Sequence, residues 1–240
     1  MNRRSCAIAL AAVFCLAGAG HSASQATVDE LIAKNIQARG GLARLKAITT
    51  VVQTATQNVQ GMAVTATTYL KRPRSLRTEL NVGGKVIINA YDGDLAWIQN
   101  PLAGMIDPVV ITGPQADMIR EQPGMDGPLV DYRTQGYTIA VDGMETMGER
   151  NLVHLRLTRK QQVSHLFLDA ETFLEAKEMN ETGQFKLEKE FLDYRDVDGV
   201  KWPFHIRILA NGVLQSEVRV EKVEFNAAID DAKFRLPKGS

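Results

Sequence analysis

Outside the first 26 residues, the side chains best suited to chemistry are three histidines: His154, His165 and His205. If Lys160-Gln161 turns a hairpin, pairing across it sets His165 opposite Arg156 and His154 opposite Phe167. All three histidines fall on the polar phase of alternating strands, which makes them solvated residues of an outer face. A metal centre needs three or more converging ligands, and acids neighbouring these histidines on that phase are sparse. No metal and no cofactor is therefore expected. The sequence contains no H-E-x-x-H, G-x-S-x-G, P-loop or G-x-G-x-x-G. Asp92 and Asp94 flank Gly93, which is turn chemistry before it is a carboxylate pair. No catalytic residue is assigned, and the expectation is that the chain is not an enzyme.

Two other groups stand out. Lys71-Arg72-Pro73-Arg74 is a basic cluster at a strand end. It reads either as a polar hairpin loop, where Pro73 stops the ladder, or as a guanidinium at a rim that can bond backbone carbonyls or a headgroup. Met105, Met118 and Met125 lie in one central segment. They are either gap fillers or a surface that repacks around variable apolar ligands.

These residues must be carried by a real core. Of 240 residues 45 % are hydrophobic, which excludes a disordered chain. Lys+Arg and Asp+Glu balance at 28 each, which argues against a basic nucleic-acid binder or a polybasic membrane-surface protein. Arg3-Arg4, an apolar run from Cys6 to Ala19, and the small-x-small stretch Ser24-Gln25-Ala26 have the layout of a secretory signal peptide over residues 1–26. Both cysteines, Cys6 and Cys15, lie in it, so the remaining domain, 27–240, holds no thiol and suits a bacterial periplasm.

Thr27-Val28-Asp29-Glu30 reads as a capping box opening a helix with the apolar stripe Val28, Leu31, Ile32 and Ile36, ended by Gly40-Gly41. Beyond Ile48 the hydrophobic period is two. Met62 to Leu70, Leu76 to Val82, Val86 to Ala90, Val153 to Leu157, Leu166 with Leu168, and Trp202 to Ile208 each alternate. Gly83-Gly84, Asp92-Gly93, Asp142-Gly143, Thr182-Gly183, Asp198-Gly199 and Asn211-Gly212 supply hairpin turns. The apolar phase slips between Val220 and Val223, which calls for a β-bulge near Glu221-Lys222. The fold expected is mainly β (α+β): a meander of about ten to eleven antiparallel strands, curled into a barrel or half-barrel. The one break, Gly104 to Arg133, holds possible short helices at Pro114–Glu121 and Pro128–Arg133, which would cover the concave face with the first helix.

The order Tyr69-Leu70-Lys71-Arg72-Pro73, Tyr91-Asp92-Gly93, Trp97 and Asn100-Pro101 resembles the LolA-type periplasmic lipoprotein-carrier family. So does the ending Ile229-Asp230-Asp231-Ala232-Lys233-Phe234 with Pro237. Tyr137 to Ala176 is similar to the broader outer membrane lipoprotein-sorting relatives. Tyr69-Leu70 replaces the narrow family's Trp-Val, and the mid-chain is longer. The resemblance implies an open half-barrel whose concave face is closed by helices over an apolar cavity for acyl chains. Arg72 matches an arginine that hydrogen-bonds to a helical lid, and Leu76 an apolar residue near the cavity mouth. Leu80, Ile88, Trp97, Met118, Leu155, Leu166, Trp202, Phe204 and Ile206 are the further apolar positions expected to bind ligand. The expected role is a monomeric carrier of a lipid or lipoprotein acyl chains towards the outer membrane. Its expected partners are an inner-membrane transporter and an outer-membrane acceptor, and no nucleic acid. The alternative is a lipid-sensing or protein-interaction module without transport.

Overall fold

The computed structural model describes residues 19–59, 61–120 and 124–237. The first half holds α1 (Ala19–Ala38), α2 (Leu42–Ala47), β1 (Thr50–Val59), β2 (Met62–Lys71), β3 (Ser75–Val82), β4 (Lys85–Tyr91), β5 (Ala96–Asn100), β6 (Met105–Ile111) and α3 (Pro114–Arg120). The second holds β7 (Tyr137–Met147), β8 (Arg150–Arg159), β9 (Gln162–Asp169), β10 (Glu175–Thr182), β11 (Phe185–Val197), β12 (Val200–Ala210) and β13 (Val213–Phe225). All thirteen strands join one antiparallel sheet, open and curved, with β6 and β7 at its two edges. Two meanders, β1 to β6 and β7 to β13, meet through a single long-range ladder between β1 and β13.

The chain is mainly β, with more strands than the ten or eleven expected. β6 was hidden by Pro108, which a ladder tolerates on an edge strand. β10 and β11 are rich in Glu and Lys and show no clean apolar period. Segment 130–136 forms turns rather than a second short helix, whereas α3 forms as expected. Five of the six glycine dipeptides lie between strands. The exception, Asp142-Gly143, lies inside β7 at a bulge, and the hairpin turns instead at Gly148, φ 62°. The bulge expected near Glu221-Lys222 is present: Thr54 pairs with Lys222 and Ala55 with Val220, which leaves Glu221 as the extra residue.

Residues 1–18 of the expected leader lie outside the described residues. α1 begins at Ala19, not at a Thr27 cap. Thr27 lies inside the helix, so no cap is required at that point. The helix ends where expected, at Gly40, φ 120°. A Cβ there would lie 2.2 Å from the Gly199 carbonyl oxygen, so only glycine lets the helix end meet the β11–β12 turn.

The stripe on α1 does the work expected of it. Val28 and Ile32 share a buried cluster with Leu129, Tyr132, Ile139, Leu155, Leu157, Leu166 and Leu168. A second cluster joins Leu45 of α2 and Val130 to Val51, Ala55, Val200, Phe204, Val220 and Val223. A third joins Ala116 of α3 to Tyr91, Ala96 and Ile111. The ladders put the sheet residues of all three clusters on one face.

Asp169 pins the β9–β10 turn. One carboxylate oxygen accepts from the Thr172 amide (2.8 Å), the Glu171 amide (3.1 Å) and the Thr172 hydroxyl (2.9 Å). The other accepts from Arg150 Nε at 2.8 Å. Burial alone would raise the Asp169 carboxyl, but these donors outweigh it and lower its pKa from 3.8 to about 2. A folded value below the unfolded one means this contribution is complete above 3.8 and is lost as pH falls towards 2. After screening at the solvent-facing Arg150, it amounts to about 1–2 kcal/mol. In Asp169→Asn, urea unfolding at pH 6 and at pH 2.5 is expected to show an acid-induced loss smaller by about 1 kcal/mol. An unchanged loss would show that Asp169 is not an acid-sensitive anchor.

Candidate functional site

At the end of the β2–β3 hairpin lies a cavity of about 90 Å³. Leu70, Leu76 and Tyr91 line it from the sheet, Ile119 from α3, and Met125 and Pro73 close it, while Lys71, Arg74 and Ser75 form a polar rim. Sheet alternation explains the sheet wall: Leu70, Leu76 and Tyr91 are successive cross-strand partners, so their side chains share a face.

Beside the cavity, Arg72 ties its own hairpin to two other segments. Its Nε donates to the Ile48 carbonyl at 2.6 Å, and Nη2 donates to the Leu45 carbonyl at 3.1 Å. These are carbonyls at the C-terminal end of α2, where a helix leaves acceptors free and a cation is favoured. The guanidinium also grips Asp126 as a fork: Nη1 to Oδ2 at 2.9 Å and Nη2 to Oδ1 at 2.6 Å. Burial pushes the Asp126 carboxyl up, but Arg72 and then Lys46 outweigh this and hold it below the usual carboxylate range. Lys46 Nζ bridges Asp126 at 3.4 Å and Asp131 at 2.5 Å. Arg39 Nη1 donates to the Asp126 carbonyl at 2.8 Å. On the far side of the cavity the Arg74 guanidinium donates to the Arg120 carbonyl at the end of α3. The segment bearing Met125 and Asp126 is thus held over the sheet by polar contacts that water can replace.

The expected binding residues divide between the two faces of the sheet. Leu76 lines the cavity, and Arg72 stands next to it. Leu80, Trp202 and Phe204 belong to the central cluster on the same face, where Trp202 Nε1 donates to Gln53 Oε1 at 2.8 Å. Ile206 shares that face through its pairing with Val218. Leu155 and Leu166 are packed beneath α1. Met118 lies on α3; its side chain is outside the described residues. Ile88 and Trp97 point the other way. Leu80 pairs with Ile87, so Ile88 takes the opposite face, and Trp97 follows through Ala90. Trp97 is fully buried there, its Nε1 donating to the Phe234 carbonyl at 2.9 Å. The apolar series Val86, Ile88 and Ala90 thus lies on the face opposite the main core, because β4 carries apolar residues on both faces.

The histidines do lie on the face opposite the main core, in the register expected: His154 pairs with Phe167 and Arg156 with His165. That face is not simply solvated. His154 stacks on the buried Phe167 ring at 4.4 Å, and its Nε2 lies 2.8 Å from His165 Nδ1. Burial depresses the His154 pKa, with Glu145 opposing and His165 adding to the effect. β7 also brings acids to this face, contrary to the expectation that they are sparse: Asp142 and Glu145.

Sequence reasoning missed Asp126, Lys46, Tyr91 and Ile119. Asp126-Gly127-Pro128 carries a turn signal. Nothing in it links Asp126 to a strand end 54 residues earlier.

No family model matches the chain, and no curated protein matches it by sequence. Solved structures do. It is similar to a DUF1329 family protein from Desulfovibrio piger at TM-score 0.58 and 16 % identity, over 87 % of this chain and 97 % of that one. A LolA superfamily protein from Nitrosomonas europaea matches at TM-score 0.59 and 13 % identity, over the same shares of the two chains. A domain described as an outer membrane lipoprotein-sorting protein, from Vibrio parahaemolyticus, matches at TM-score 0.58 and 11 % identity, over 86 % of this chain and 97 % of that one. The chain therefore shares its fold with these three proteins. Among the described residues no helix is long and apolar enough to cross a membrane.

Proposed function

We propose that this chain, with its LolA-superfamily fold, is a periplasmic carrier. It binds a lipid or the acyl chains of a lipoprotein in an apolar cavity on the concave face and shuttles them towards the outer membrane. The observation that carries the reading is the Arg72 clasp beside a cavity lined by Leu70, Leu76, Tyr91, Ile119 and Met125. Exposing an acyl chain to water costs about 0.8 kcal/mol per CH₂, so a shuttle needs a covered apolar space. It must also let the chain go, so the cover must be switchable. A cavity of about 90 Å³ is smaller than the roughly 300–1,000 Å³ of ligand pockets. In the closed state α1, α2, α3 and the Met125–Asp126 segment cover the concave face. Loading requires the Met125–Asp126 segment, held by Arg72, to lift.

On this reading the cavity binds and releases, and its mostly apolar lining makes or breaks no bond. Residues 1–26 act as the export leader, and cleavage there shortens α1 but keeps Val28 and Ile32, which pack on the sheet. An inner-membrane transporter would load the carrier and an outer-membrane acceptor would unload it.

Native mass spectrometry of the chain recovered from an exporting bacterium tests this, followed by solvent extraction. The expected result is a chain lacking residues 1–26 and carrying a lipid at defined stoichiometry. An empty chain that also takes up no fluorescent fatty acid would overturn the proposal.

A further inference from the structure

The geometry points to a divalent transition-metal site on the outer face, built from His154 Nε2, His165 Nδ1 and a carboxylate oxygen of Asp142. These three residues offer ligand atoms that all lie within 4.8 Å of one another. They come from three adjacent strands, β8, β9 and β7, at one edge of the sheet. Sequence spacing conceals the grouping, and two features of β7 create it.

The first feature is the bulge. Val141 pairs with Leu155 and Gly143 with His154, which leaves Asp142 as the extra residue. A bulge re-aims a side chain, and here Asp142 joins the histidine face. The second is Gly143 itself. It sits directly across from His154, at φ 118°, and a Cβ built there would meet nothing within 4 Å. Space is therefore open at Gly143, across the ladder from His154.

The two rings are already posed as ligands. Their facing nitrogens are 2.8 Å apart, a distance that a single shared proton bridges. A tetrahedral Zn²⁺ with bonds of about 2.0–2.1 Å needs those nitrogens roughly 3.3 Å apart, a spreading of about half an ångström. His154 is held by its stack on Phe167. Its other nitrogen, Nδ1, lies 3.4 Å from Glu145 Oε1. This carboxylate-to-imidazole contact is the arrangement that orients metal-bound histidines. Two cations face the group. Arg156 Nε lies 2.9 Å from Asp142 Oδ2, and Lys177 Nζ lies 3.5 Å from Glu145 and over the Phe167 ring. Arg156 Nε also donates to Asp142 Oδ1 at 3.2 Å, so Oδ1 must leave that contact to meet the ion while Oδ2 keeps Arg156. Two imidazoles and one carboxylate suit Zn²⁺ or Cu²⁺ over Mg²⁺ or Ca²⁺, with the fourth position left to water. The site lies on the face opposite the lipid cavity and does not depend on the carrier reading.

The test is titration of the untagged, EDTA-stripped full chain with Zn²⁺ by calorimetry, and with Co²⁺ by visible absorption. One ion per chain with a Kd on the order of micromolar, and the absorption of four-coordinate Co²⁺, are expected. His165→Asn and Asp142→Asn should each weaken binding at least 100-fold. Glu145→Gln should weaken it about 10-fold, and His205→Asn should leave it unchanged. Circular dichroism of each variant reports whether the sheet is intact. No binding by the unaltered chain, or stoichiometric binding that survives both His165→Asn and Asp142→Asn, overturns the inference.

Discussion

Replacing Arg72 with leucine is expected to leave the chain folded and to make it hold a fluorescent fatty acid about 30-fold more tightly. The reason lies in what Arg72 joins. Four hydrogen bonds run from its guanidinium to the Ile48 and Leu45 carbonyls and to both oxygens of Asp126. Hydrogen bonds to charged groups contribute roughly 1.5–3 kcal/mol, and the loss here is shared with water and with Lys46, which stays 3.4 Å from Asp126. A net loss of about 2 kcal/mol from the closed state is a reasonable magnitude, and it corresponds to about 30-fold in the open-to-closed ratio. Only the open state takes cargo, so the apparent affinity rises with the open population. Release to an acceptor vesicle should slow by a similar factor. Arg72→Lys separates charge from geometry. It keeps the cation but cannot fork onto Asp126, so it should fall between the parent and Arg72→Leu. Stopped-flow loading and release that are the same in all three proteins would remove Arg72 from the gating role.

Leu155→Ala should instead cost stability, about 2.5–5 kcal/mol, and leave fatty-acid affinity within twofold of the parent. Leu155 is fully buried, as is Leu168 beside it, beneath Val28 and Ile32 of α1. Shortening a fully buried leucine loses its transfer free energy and leaves a cavity, and the backbone of a strand paired on both sides cannot collapse to fill it. Denaturant unfolding measures the first effect, and fatty-acid titration of the folded fraction measures the second. Leu166 is 3 % exposed in the same cluster, and Leu166→Ala should behave alike. A variant that binds fatty acid tenfold less well with unchanged stability would mean that the lipid space extends under α1.

Leu155, packed beneath α1, and Leu76, lining the cavity, mark the limit of what alternation can tell. A period of two assigns a side chain to a face, and it did so correctly for Val153 to Leu157, Leu166 with Leu168, and Trp202 to Ile208. It does not say whether that face meets a packed helix or a cavity. Along β4 it failed even for the face, because Ile87 and Ile88 are both apolar and sit on opposite sides. Turn chemistry was equally local. Asn211-Gly212 and Asp198-Gly199 turn hairpins, whereas Asp142-Gly143, with the same positive-φ glycine, makes a bulge within one strand.

What the sequence determined by itself was whatever depends on near neighbours. The mainly β fold, the hairpin register at Lys160-Gln161, the slip at Glu221, the apolar stripe of α1 and the isolated basic cluster at Arg72 are all written in spacing and residue type. The tertiary structure decided which distant groups meet. Asp126 reaches Arg72 across 54 residues, and Phe234 covers Trp97 across 137. Asp142 joins two histidines from separate strands. The physical reason is that such contacts are set by sheet curvature, bulges and the path of a connecting segment. These arise from the summed packing of all thirteen strands, so no local pattern carries them.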